Sequence, residues 1–309
     1  MEIVSVINYK GGVGKTTVTA NLAAELAWRG YDILLIDLDP QASLTFSFIR
    51  PEEWESEFSG SRTIKNWFDA ISNNEPFELN ELIFSPSTVQ SRLRNRGTLE
   101  LIASHLGLIN VDLELATELG GASLKQAKRN YLRVHRKIAN GIENLNGNEY
   151  DVIFFDCPPN FNIVTKNAIV ASDHILIPAK PDYLSTLGID YLIRSLNNLI
   201  SNYNEYVQID AADDFIEIEP QILGVIFTMI QIYGGQPIAA LRPYINQTRN
   251  LDIPVFDSYI KENKTIFADA PQYGVPVAIG RYSSGSHTSV VRGIESFVSE
   301  FEQRLGLEE

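Results

Sequence analysis

Cysteine is almost absent from this chain. A lone thiol, Cys157, has no counterpart for a disulfide within one subunit and cannot build an all-cysteine zinc or iron–sulfur site there. Apolar runs are short, and none approaches the roughly 20 residues that a membrane-spanning helix needs. The chain enters a β-branched run at once, Glu2-Ile3-Val4-Ser5-Val6-Ile7, with neither the basic n-region nor the apolar h-region of a secretory leader. Those absences predict a cytoplasmic protein without stable membrane insertion. Base is scarce as well: 25 Lys and Arg stand against 39 Asp and Glu, a formal charge of −14. A surface coated uniformly in positive charge to hold nucleic acid is thereby excluded, although a local basic patch is not. What remains is ordinary for a globular protein, with 44% apolar and 21% charged residues in 309. No linker-like composition divides the chain. The expectation is a single domain over 1–309, elaborated at about 50–98 and 204–219.

The stretch that organises the rest is Lys10-Gly11-Gly12-Val13-Gly14-Lys15-Thr16-Thr17. It lies between the first apolar run and Val18 to Arg29, which has helical periodicity and ends at Gly30 as at a C′ glycine. A glycine-rich turn from strand to helix presents consecutive backbone N–H groups at a helix N-terminus, where the macrodipole also favours an anion. In such a loop Lys15 is a point charge for the outer phosphates and the Thr16 hydroxyl is placed to ligand Mg²⁺. Lys10 adds a second cation that phosphate binding alone does not require.

Further apolar runs alternate with helical stretches, at Asp32–Asp37, 99–103, Asp151–Asp156, 175–178 and 222–227. The pattern predicts an α/β fold: three layers, with a doubly wound, mostly parallel sheet covered by helices on both faces. Asp32–Asp37 runs into Asp37-Leu38-Asp39-Pro40-Gln41, and Asp151–Asp156 into Cys157-Pro158-Pro159. Carboxylates at the C-terminal ends of parallel strands lie where open α/β sheets bind ligands. Asp156 is therefore expected behind the Mg²⁺ shell, Asp39 to orient a water for attack on a γ-phosphate, and Asp37 to be the metal-side or structural member of its pair. Residues 123–140 read as one helix. Leu124, Ala127, Tyr131, Val134 and Ile138 would face the core, and Arg129, Arg133 and Arg136 lie in the densest basic stretch of the chain. That face is either a solvated surface or a contact for a phosphate backbone.

The double-lysine loop resembles the deviant Walker A motif of the ParA/MinD superfamily of partitioning and positioning ATPases. Asp37-Leu38-Asp39-Pro40-Gln41 is similar to the Walker A′ segment of its ParA/Soj group, and Asp156-Cys157-Pro158-Pro159 with Thr165-Lys166-Asn167-Ala168 to the Walker B segment and following helix. Gly224-Val225-Ile226-Phe227-Thr228-Met229 resembles the strand leading to the adenine pocket, and Ala268-Asp269-Ala270-Pro271 a late loop near the nucleotide. The resemblance implies a P-loop ATPase using ATP and Mg²⁺, with Lys10, Lys15 and Asp39 in the catalytic set. It also implies nucleotide contacts along Lys10–Thr17 and at Pro158, Asn167 and Met229, and metal contacts at Thr16, Asp37 and Asp156. Lys10 would cross a homodimer interface to the other subunit's nucleotide. The ATP dimer would bind DNA without sequence preference, at the nucleoid, until a ParB-like or cargo-adaptor protein stimulates hydrolysis. The late loop departs from the family in lacking its proline–arginine pair, and no winged-helix extension precedes the phosphate loop, as in the short Soj-like branch. Two other readings share the loop: a scaffold with little turnover, and a MinD-like ATPase that cycles on membranes. The second needs a basic amphipathic C-terminal helix. Here Glu295, Glu300, Glu302, Glu308 and Glu309 surround the stripe Val290, Ile294, Phe297, Phe301 and Leu305, which is therefore expected in the core.

Overall fold

A computed structural model describes residues 1–145, 149–209, 215–280, 282 and 284–307. The chain begins with β1 (Glu2–Val6), α1 (Lys15–Arg29) and β2 (Asp32–Asp37), then crosses three short helices, α2 (Pro51–Glu57), α3 (Ile64–Ser72) and α4 (Ser87–Leu93). Next come β3 (Thr98–Ile102), α5 (Leu108–Glu118), α6 (Leu124–His135), α7 (Lys137–Glu143), β4 (Val152–Asp156), α8 (Ile163–Val170) and β5 (His174–Ala179). The last third holds α9 (Tyr183–Ile209), β6 (Gln221–Ile230), a small hairpin of β7 (Ile232–Tyr233) and β8 (Gln236–Pro237), α10 (Arg242–Arg249), β9 (Val255–Lys261), α11 (Lys264–Asp269) and α12 (Gly285–Leu305).

Seven strands form one sheet in the order β3-β2-β4-β1-β5-β6-β9, and every neighbouring pair is parallel. Parallel strands covered on both faces are apolar throughout, and β4, Val-Ile-Phe-Phe-Asp, is buried at all five positions. One face is covered by α1, α4 and α12, whose Leu22, Leu26, Leu93, Phe297 and Phe301 pack against Val4, Leu35 and Phe154. The other face is covered by α3 and the helices from α5 to α9, through Trp67, Phe68, Leu115, Ile138, Ala168 and Leu196. The three-layer α/β expectation holds.

Several boundaries differ from the sequence reading, each for a local reason. The 123–140 helix is two: α6 stops at His135, Arg136 sits at φ −97°, ψ 2°, and α7 restarts at Lys137. Leu124 opens α6 before its buried stripe begins and is 74% exposed instead of facing the core. Helix α9 begins at Tyr183 and continues to Ile209, so the first part of the 204–219 excursion is helical. Its far side is tied back by Asn204, which exchanges two 2.9 Å hydrogen bonds with the backbone of Ile218; residues 210–214 lie outside the described residues. Strand β9 did not stand out in the sequence because an edge strand with one half-wet face alternates instead of running apolar. In α12 the stripe Val290, Ile294, Phe297 and Phe301 is buried in the core; Glu308 and Glu309 lie outside the described residues. No described helix is long and apolar enough to cross a membrane.

Candidate nucleotide site

Sheet register brings the functional ends of three strands level. Val6 of β1 is paired with Asp156 of β4, which is paired in turn with Asp37 of β2. Between β1 and α1 the loop turns through Gly12 at φ 71° and Gly14 at φ 87°, left-handed conformations that glycine adopts without a Cβ penalty. Gly14 is the residue before Lys15, so α1 starts inside the motif, three residues earlier than its apolar pattern. The loop is braced by Asn8, whose side chain donates to the Pro178 carbonyl at 2.8 Å and accepts the Lys10 N–H at 2.9 Å.

Lys15 is buried and its ammonium curls over its own loop, 3.3 Å from the Asn8 carbonyl and 3.5 Å from that of Lys10. Burial lowers its pKa, against the attraction of Asp156 and Asp39. A phosphate would offer this cation far better acceptors than two carbonyls. The Thr16 hydroxyl donates to Asp156 Oδ2 at 2.7 Å, and Thr19 reaches Oδ1 at 3.1 Å. Burial pushes Asp156 up to about 6, the bond from Thr16 and the charge of Lys15 pulling the other way. This pairing of hydroxyl and carboxylate oxygens fits Mg²⁺, which takes one or two protein oxygens and leaves its other positions to water and phosphate. Among the described residues no three His, Cys, Asp or Glu side chains gather into a metal cage.

Asp37 and Asp39 have separate duties. Asp37 is fully buried; its Oδ2 accepts the Thr45 N–H at 2.8 Å and the Thr45 hydroxyl at 2.7 Å, and its Oδ1 the Asp39 N–H at 3.1 Å. Burial first, then the charge of Asp156, raises its pKa well above the usual carboxylate value. Both Asp37 oxygens are engaged within its own turn, two of the three bonds coming from backbone N–H groups, which fits the structural member of the pair. Asp156 takes the Thr16 and Thr19 hydroxyls, the first of them the expected metal ligand, and is the better placed of the two to hold Mg²⁺. Asp39 is half-buried, and among the described residues its carboxylate accepts only the Gln41 N–H, on Oδ1 at 2.9 Å.

Met229, in left-handed conformation at φ 55°, lines a cavity of about 160 Å³ with Gly14, Val18, Asn263 and Phe267. Its walls are largely apolar and it opens beside the loop, as a flat base requires. Asn263 and Phe267 were invisible in the sequence because nothing in the pattern of β9 and α11 marks them as neighbours of the loop. Pro158 is buried just past Asp156. Asn167 does not reach the nucleotide loop. Its amide donates to the Val134 and Ile163 carbonyls at 2.9 and 3.0 Å, and its oxygen lies 3.3 Å from the Ile138 N–H, so it bridges the break between α6 and α7.

Arg136 is also displaced from its expected role. It is buried and pairs with Glu143, while Lys128 pairs with Glu205 and Lys137 with Glu118. Arg133 remains exposed, and the basic face is for the most part neutralised within the molecule. Lys10 is held: its ammonium lies 2.8 and 2.7 Å from the two oxygens of Asp182 and 3.3 Å from the Ser185 hydroxyl. Asp182 precedes α9 as an N-cap and accepts the Ser185 N–H at 2.9 Å. The one signal for it in the sequence was an aspartate before a helical run.

A family model for an AAA domain matches residues 1–209. The sporulation initiation inhibitor protein Soj of Bacillus subtilis is 26% identical over 281 residues, 90% of this chain and 90% of that protein. The chromosome partitioning protein ParA of Caulobacter vibrioides is 24% identical over 280 residues, 90% of this chain and 87% of that one. Among solved structures, the ATP complex of an aspartate-to-alanine variant of Cyanothece McdA superposes with a TM-score of 0.66 over 100% of this chain and 98% of that one, at 19% identity. With the double-lysine loop and the three level strand ends, these matches show that the chain belongs to the AAA-domain family and, within it, to the ParA/MinD-like partitioning ATPases.

Proposed function

We propose that this protein is a switch that ATP closes into a homodimer and hydrolysis reopens, used to position or segregate a cargo. The observation that carries the reading is Lys10, a cation on the phosphate loop itself, resting on Asp182 and one-third exposed. Such a pair is weak at a surface. Phosphate oxygens presented by a second copy of the loop would compete for it. Tyr183, Leu184, Leu187 and Tyr191 stand exposed on the first turns of α9 beside that pair, an apolar face that a second protomer would cover.

Within each protomer, the loop N–H groups and Lys15 hold the triphosphate, and Thr16 and Asp156 would hold Mg²⁺, which supplies charge to the phosphate oxygens. The free Oδ2 of Asp39 orients a water in line with the γ-phosphate, and attack yields ADP and phosphate. Loss of the γ-phosphate removes what draws Lys10 across, and it returns to Asp182. The ATP dimer engages DNA without sequence preference at the nucleoid, and a ParB-like or adaptor protein stimulates its release. The partitioning role named for the Caulobacter relative supports this part. Arg129 and Arg133 remain the DNA candidates, without Arg136. The membrane-cycling reading loses its helix, since the stripe of α12 lies in the core.

Size-exclusion chromatography with light scattering tests the switch. The wild type should double in mass with ATP and stay single with ADP, and duplex DNA should co-elute only with the doubled species. Lys10→Ala should bind ATP and remain single. A Lys10→Ala protein that dimerises as the wild type does would remove the exchange from the mechanism.

A further inference from the structure

The turn after β2 is held from outside by one residue. Within the turn, the Asp39 carbonyl accepts the Ala42 N–H at 2.8 Å, and Ala42 is held at φ 52°, a conformation uncommon for a residue with a Cβ. The same Asp39 carbonyl accepts the hydroxyl of Ser104 at 2.7 Å, across 65 residues of sequence. Ser104, fully buried just beyond β3, also donates its N–H to the Thr45 hydroxyl at 2.9 Å, the same hydroxyl that donates to Asp37. One residue therefore ties down both ends of the 39–45 segment. The Ser104 carbonyl in turn accepts the indole N–H of Trp54 at 3.1 Å, and that ring packs edge-on to Phe46 and against His105. Trp54 belongs to α2, in the 50–98 elaboration.

We propose that Ser104 is a positioning residue for hydrolysis, fixing the Asp39 carboxylate in line with the attacking water, and that Trp54 on α2 sets Ser104. This rests on the assignment of Asp39 as the water-orienting group. A near-attack geometry tolerates little displacement, so a turn held from its own side alone would aim Asp39 less well. The elaboration at 50–98 thereby gains a function, reaching the reacting end of β2 through a single indole and a single hydroxyl. Ser104→Ala leaves the Asp39 carbonyl with its bond from Ala42, so no buried acceptor is orphaned and the fold should hold.

The experiment is a double-mutant cycle in single-turnover ATP hydrolysis, with nucleotide affinity and thermal midpoint measured in parallel. Ser104→Ala should lower the hydrolysis rate by roughly three- to tenfold, about the worth of one hydrogen bond, with ATP affinity unchanged and the midpoint lowered by no more than a few degrees. Trp54→Phe, which removes the N–H and keeps the ring, should act in the same direction and less. In an Asp39→Ala background both substitutions should have no further effect, because they work only through that carboxylate. If Asp39→Ala stops turnover while Ser104→Ala does not slow it, the positioning role alone falls. If Ser104→Ala multiplies its effect onto Asp39→Ala, or weakens ATP binding instead of the rate, its role is structural and the proposal is overturned. If Asp39→Ala turns over normally, the water-orienting assignment falls and takes this one with it.

Discussion

At the scale of single residues, the two lysines of one loop stand in opposite environments. Lys15 is buried where only a phosphate can replace the carbonyls it now touches, so its role follows from the motif. Lys10 depends on Asp182, which lies 172 residues away and which no pattern around the loop announces. Burial would raise the Asp182 pKa, but the hydrogen bonds from Lys10 and Ser185 outweigh it and the net shift is downward. Asp182→Asn keeps an oxygen for the Ser185 N–H and removes the charge that holds Lys10. Dimerisation should then need less ATP, by at most about fivefold, since a pair one-third exposed contributes no more than about 1 kcal/mol. Analytical ultracentrifugation across an ATP titration reads this directly; an unchanged or higher ATP requirement would show that Asp182 does not restrain Lys10.

At the scale of elements, the break between α6 and α7 shows how a plausible motif residue was misplaced. A helix end leaves carbonyls unpaired and a helix start leaves N–H groups unpaired. Asn167, projecting from α8, serves one of each, accepting from Ile138 and donating to Val134. Its resemblance to a nucleotide contact came from its place in the chain after β4, not from the direction of its side chain. Asn167→Ala should cost about 2–3 kcal/mol of unfolding free energy, as expected for removing the centre of a buried hydrogen-bond network. It should also leave ATP affinity within error of the wild type. Urea unfolding and a fluorescent-nucleotide titration on the same protein decide between the two roles. The basic stretch from Lys128 to Lys137 was legible as charge but not as ion pairs, because its partners Glu118, Glu143 and Glu205 come from three different helices, α5, α7 and α9.

For the whole molecule, buried ionisable groups set opposing pH dependences. His135 ends α6 beneath Tyr131, with its Nδ1 2.8 Å from the Tyr131 carbonyl and the ring centroids 4.0 Å apart. Burial pushes its pKa down to about 4, despite the carbonyl and with help from the charge of Lys166. Because the folded value lies below the unfolded one of about 6.5, the contribution is complete above that pH. It is lost as pH falls towards 4, where the unfolded chain takes a proton that the folded chain refuses. Asp37 and Asp156, raised by burial, act in the other sense, and the protein without nucleotide regains stability from them on acidification. Comparing urea unfolding at pH 7 and pH 5 in wild type and His135→Gln separates the two. The wild type should lose roughly 2 kcal/mol more than the variant. Equal losses would mean that His135 is not held neutral.

The sequence by itself determined the phosphate loop, the alternation of strand and helix, and the carboxylates at the strand ends. These are short-range properties, set by glycine dihedrals, apolar periodicity and residues within a few positions of one another. Tertiary structure alone decided that Lys10 rests on Asp182, that Asp37 is tied to Thr45 and Asp39, that Asn167 serves a helix break and that Ser104 holds Asp39. Each of those depends on which strands are neighbours. The order β3-β2-β4-β1-β5 brings together segments that lie far apart along the chain. Hydrogen bonds act over about 3 Å of space, and distance along the chain says little about which groups will meet.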